Sequence, residues 1–79
     1  MDWHQYITAD PAVLGGKPVA RGTRLAVDFI LGLFAAGWTA QQIIENYPGL
    51  TQESLLAVFA FAAESLGDET LYPLRKESA

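Results

Sequence analysis

The chain has no cysteine, one histidine and one methionine. Without cysteine it builds neither a disulfide framework nor a thiolate zinc site. A lone histidine, His4, beside the first residue cannot supply metal-ligand spacing, so neither metal nor other cofactor is expected. Ser54, Ser65 and Ser78 have no base placed to activate them, and Glu45 and Glu53 read as solvated helical carboxylates. Gly15-Gly16-Lys17 lacks the second glycine and the Lys-Ser/Thr pair of a phosphate loop. The inventory therefore points away from an enzyme. No apolar run approaches the ~18 residues of a membrane span. The start Met1-Asp2-Trp3-His4 lacks a charged-then-apolar leader pattern, so a cytoplasmic protein is expected.

Positive charge is also scarce. Five Lys and Arg against nine acids give a net charge of −4, the wrong sign for coating nucleic acid. Not one Lys or Arg occurs from Leu25 to Leu74, whereas Pro11 to Val27 holds Lys17, Arg21 and Arg24 and no acid. Two readings of this trio stand side by side. Arg21 and Arg24 pair with carboxylates such as Asp10 or Asp28, or the trio contacts a partner protein or nucleic-acid phosphate.

What the chain has in excess is apolar surface, 51% of 79 residues. A domain of this size buries only about 60% of the surface its unfolded chain exposes. Part of the surplus is expected to meet a partner, and a homodimer is the first expectation. The whole chain reads as one domain, in three parts: an extended basic segment over 6–27, a three-helix body over 28–66 and a tail over 67–79.

Tyr6 to Asp10 suits a short strand, and Lys17 to Val27 suits extended chain bent at Gly22. Asp28 is placed at a helix start, with Val27, Ile30, Leu31, Phe34 and Ala35 on one stripe. Gly37 ends that helix. Thr39 with Gln42 forms a capping box for a second helix, with Ile43, Ile44 and Tyr47 as its inner side. Pro48-Gly49 closes it, and Thr51 caps a third helix that runs to Gly67. The fold class is mainly α: one or two short N-terminal β segments, then three helices in a helix-turn-helix-like bundle.

Leu55 to Ala63 is an unbroken apolar run. At 100° per residue, Leu55, Phe59, Ala62 and Leu66 fall within roughly 60° and form the expected core stripe. Phe61 lies about 160° from Phe59. Ala57, Ala60 and Phe61 are therefore expected on an outer face, where they meet a second subunit or partner. The alternative is that Phe61 covers the N-terminal strands or the tail. Leu71, Tyr72 and Leu74, in the apolar stretch of the tail, either dock on a partner or pack back on the domain.

The helix-turn-helix layout raises DNA binding. The helix that would enter the major groove begins Thr51-Gln52-Glu53-Ser54, and Gln52 could read adenine. Neither of the last two helices has a base for phosphate contacts, which leaves Lys17, Arg21 and Arg24 as the anchors.

The order of short blocks is similar to a known family. Asp10-Pro11, Leu14-Gly15-Gly16-Lys17-Pro18-Val19, Arg21-Gly22-Thr23-Arg24, Ala36-Gly37-Trp38-Thr39 and Tyr47-Pro48-Gly49-Leu50-Thr51 resemble domain-of-unknown-function family 433. The resemblance runs from about Tyr6 to Ala63. Ala26 departs from it, standing where the family usually has proline. The resemblance implies a helix-turn-helix class fold and an antitoxin-like role beside a PIN-like nuclease toxin. An antitoxin can also bind DNA to regulate its own synthesis.

Overall fold

A computed structural model describes residues 1–67 of the chain. A short 3₁₀ turn, Trp3–Gln5, leads into strand β1 (Ile7–Ala9), which pairs antiparallel with β2 (Pro18–Ala20). The register sets Ile7 opposite Ala20, Thr8 opposite Val19 and Ala9 opposite Pro18. Pro18 has no N–H to give the ladder, and it stands at the first position of its strand, where that matters least. Three helices follow: α1 (Val27–Ala35), α2 (Ala40–Asn46) and α3 (Gln52–Leu66). The protein is thus mostly helical, with a two-stranded sheet at its N-terminal end.

The β1–β2 connection shows why Gly15-Gly16 is there. Leu14, Gly15 and Gly16 all have positive φ, at 49°, 66° and 92°. A run of left-handed backbone costs about 1–2 kcal/mol per residue with a β-carbon, and glycine escapes that cost. The Asp10 carboxylate fixes the start of the loop by accepting from the Ala12 N–H at 2.9 Å. After β2 the chain turns again at Gly22, and Val19 bridges back to Ala26. Thr23 holds this turn: its Oγ1 donates to the Ala20 carbonyl at 2.7 Å and accepts from the Leu25 N–H at 3.0 Å.

Helix boundaries follow their local chemistry. Ala26 precedes α1 in extended conformation and offers no side-chain cap, while Asp28 lies in the first turn. At the other end, the Trp38 N–H bonds the Leu33 carbonyl and the Gly37 N–H bonds that of Phe34. This is a Schellman closure on a glycine at φ 97°. Thr39 and Gln42 form a complete capping box on α2, and Thr51 Oγ1 accepts from the Ser54 N–H to cap α3. Five residues, 47–51, join α2 to α3.

The core gathers Ile7 and Ala20 from the sheet, Val27 and Ile30 from α1, Ile43 from α2, Leu50, and Leu55, Ala57 and Val58 from α3. Leu31 and Phe34 flank it half-buried, whereas Ala35 is exposed.

The inward face of α3 differs from the one expected. Ser54, Leu55, Ala57 and Val58 are buried, and Phe61 is packed against the core. Phe59 is 44% exposed and Leu66 71% exposed, so of the expected stripe only Leu55 is buried in the core. The helix is rotated by roughly 90° from the sequence expectation. Two N-terminal features explain it. Trp3 meets Phe61 edge-on at 4.8 Å between ring centroids, which draws Phe61 inward. Ser54 is buried without an apolar side chain because its hydroxyl lies 3.0 Å from Thr51 Oγ1 in the cap.

Candidate functional site

The basic segment does not form one cationic patch. Lys17 Nζ donates to Asp28 Oδ2 at 3.0 Å, tying the loop to the start of α1. The hydrogen bond from Lys17 holds the Asp28 carboxyl below the usual carboxylate range. The Arg21 guanidinium donates to the main-chain carbonyls of Gln5 and His4, both at 3.1 Å. It thereby serves the C-terminal end of the first 3₁₀ turn, where unpaired carbonyls collect. Arg24 is exposed and makes no hydrogen bond among the described residues. Of the expected carboxylate partners, Asp28 takes Lys17 rather than an arginine, and Asp10 serves its own loop.

His4 is exposed, stacks on Trp3 at 3.8 Å and bonds the Asp2 carboxylate at 2.7 Å through Nδ1. That contact and the His4 N–H lower the Asp2 pKa. Among the described residues no three His, Cys, Asp or Glu side chains come together as a metal site. No described helix is long and apolar enough to cross a membrane.

The residues expected on an outer face of α3 separate. Ala57 is fully buried in the core and is unavailable to any partner. Ala60 is half-buried. Phe61 turns inward against Trp3, and its remaining surface lines a groove. Leu71, Tyr72 and Leu74 lie outside the described residues.

That groove, about 270 Å³, runs between the C-terminal half of α3, the start of α1 and β2. Val27, Leu31, Phe61, Ala62 and Leu66 give it apolar walls, and the Lys17–Asp28 pair stands on its rim. Its single ion pair is exposed on both sides and internally neutral. The Ser65 hydroxyl also borders the groove, and the apolar walls hold an apolar group by exclusion of water.

A second apolar surface occupies the outer side of α3. Leu56 (50% exposed), Phe59, Ala63 and Leu66 all face away from the core. Phe34 of α1 borders this surface, its ring 4.8 Å from that of Phe59. Sequence reasoning assigned Phe59 and Leu66 to the core and passed over Leu56 and Ala63. Within an unbroken apolar run the only markers of phase are the flanking polar residues, and Glu53 and Glu64 lie nearly opposite the expected stripe, so they favour the face the structure does not bury. The expected stripe of Leu55, Phe59, Ala62 and Leu66 shares the alternating three- and four-residue spacing of this seam, so periodicity alone does not separate the two.

Comparison with known proteins places the chain. The family model described as "Protein of unknown function (DUF433)" matches residues 7–62. The chain is 34% identical over 58 residues to "Uncharacterized protein y4eO" of Sinorhizobium fredii. That match takes in 73% of this chain and 26% of the relative, so the chain spans about a quarter of its length. The fold is similar to the crystal structure of a DUF433 member protein from Anabaena variabilis, with a TM-score of 0.70 at 32% identity. That likeness covers 80% of this chain and 61% of the other. The five short blocks lie wholly within the matched residues, and the chain belongs to the DUF433 family of proteins of unknown function.

Proposed function

We propose that the protein is a non-enzymatic interaction module of the cytoplasm that receives an apolar segment of a partner protein in the groove beside α3. The supporting observation is the groove itself: apolar walls from Leu31, Phe61, Ala62 and Leu66, with one neutral ion pair at the rim. The finer reading is an antitoxin. The resemblance of the sequence blocks supports it, and the partner it implies is a PIN-like nuclease toxin.

The test is direct. A nuclease encoded beside this chain is purified and its activity titrated with the chain. Stoichiometric inhibition is expected, and it is lost in Ser65→Trp, which fills the groove from an exposed position without touching the core. A nuclease that keeps full activity overturns the antitoxin reading. An inhibition that Ser65→Trp leaves intact overturns the groove as its site.

A DNA-binding autoregulator with a helix-turn-helix is the second reading, and it has less support. The short α2–α3 connection favours it. Two of the three cations it needs, Lys17 and Arg21, are already bonded within the domain. Phosphate contacts would make binding fall steeply with salt. DNA binding that weakens between two salt concentrations and is lost when Lys17, Arg21 and Arg24 all become Ala would favour this reading.

A further inference from the structure

We infer that the outer face of α3 is a homodimer interface in which two copies of the helix pack antiparallel. The inference uses a surface other than the proposed partner groove, and only Leu66 borders both.

The spacing of the exposed residues selects another helix as the occupant. Gln52, Leu56, Phe59, Ala63 and Leu66 recur at alternating intervals of four and three. That is the seam of a coiled-coil pair, read from d at Gln52 to d at Leu66. All five positions are exposed in the folded chain, over the whole length of α3. A helix that served only its own domain would carry polar residues there.

Size and charge then select a second copy, and its direction. In an antiparallel pair, a positions meet d positions across the seam. With Leu56 opposite Leu66 of the partner subunit, Phe59 falls opposite Ala63 of the partner subunit, and the two-fold repeats both layers. Each phenylalanine ring thus meets the small residue that leaves room for it. A parallel pair in register would instead stack Phe59 on its own copy and leave a gap at Ala63.

Antiparallel packing removes both faults. Glu53 then lies outside the overlapping segment 56–66, and no seam residue within that segment is charged. The positive end of each helix dipole approaches the negative end of the other. For a chain of net charge −4, an uncharged seam is the surface on which two copies meet with least repulsion.

Because the chain has no cysteine, single cysteines report the geometry without background. Sedimentation equilibrium of the full chain is expected to give twice 8.6 kDa, and Ala63→Glu a monomer with unchanged helical circular dichroism. Under mild oxidation, a mixture of Leu56→Cys and Leu66→Cys chains is expected to form the mixed disulfide. Leu56→Cys alone is not, because the two copies of position 56 stand ten residues apart, about 15 Å along the axis. A disulfide needs α-carbons within about 7 Å. A wild-type monomer, a dimer indifferent to Ala63→Glu, or efficient self-linking of Leu56→Cys overturns the inference. A monomer would leave the groove and its partner unaffected, so the two proposals fail separately.

Discussion

The rings of Trp3 and Phe61 lie 4.8 Å apart at 85° and join the first turn of the chain to the C-terminal half of α3. This contact sets which way α3 faces, and through it which apolar residues remain outside. The Trp3 indole N–H is buried without an acceptor among the described residues. Trp3→Ala is therefore expected to cost about 2–3 kcal/mol, toward the lower end for loss of a large aromatic because the ring is only half-buried. Trp3→Phe is expected to cost under about 1 kcal/mol, since it keeps most of the packing and removes an unsatisfied donor. Urea unfolding of the two variants checks the difference.

Gly49 meets Thr23 across the domain. A β-carbon added at Gly49 would stand 3.1 Å from the Thr23 methyl. Gly49→Ala is expected to destabilise by about 1 kcal/mol through overpacking. Thr23→Ser removes the methyl and keeps both hydroxyl hydrogen bonds, so the double variant is expected to recover most of the loss. A double-mutant cycle in urea measures the coupling.

The two threonine caps offer a third check. Thr39→Ala and Thr51→Ala are each expected to cost about 1 kcal/mol, the usual loss for an N-cap side chain. Thr51→Ala should cost more of the two, because it also removes the hydroxyl partner of buried Ser54. Thermal unfolding followed by circular dichroism ranks them.

The Lys17–Asp28 pair carries a pH signature. The folded-state pKa of Asp28 is depressed, so its contribution to stability is present above the ordinary carboxylate range. It is lost as pH falls through the depressed value. An NMR titration of Asp28 is expected to give a midpoint below that of an unperturbed aspartate, returning upward in Lys17→Met. An unchanged midpoint would mean that the ion pair does not form in solution.

The element order was legible from punctuation. Gly15-Gly16, Gly22, Gly37, the Thr39-Gln42 box and the Thr51 cap each mark a boundary that the structure keeps, because each acts through backbone geometry within a few residues. The expected pairing of Arg21 or Arg24 with Asp10 or Asp28 does not form among the described residues, where Lys17 takes Asp28 instead. The face of α3 was not legible. Leu55 to Ala63 offers no polar residue to fix its rotation, and the deciding contact comes from Trp3, over fifty residues away in sequence. Arg21 was open for the same reason: its acceptors are carbonyls of His4 and Gln5, which no side-chain pattern announces.

The central claim about α3 is its division into a buried face and a seam open to a second copy. Thiol labelling of single-cysteine variants along the helix, at low and high protein concentration, tests it most directly. Cysteine at 57 or 58 is expected to stay protected at every concentration, because these positions lie in the core. Cysteine at 56 or 66 is expected to react freely when dilute and to become protected as the concentration rises and dimers form. Labelling at 57 as fast as at 56, or at 56 and 66 independently of concentration, would contradict the account.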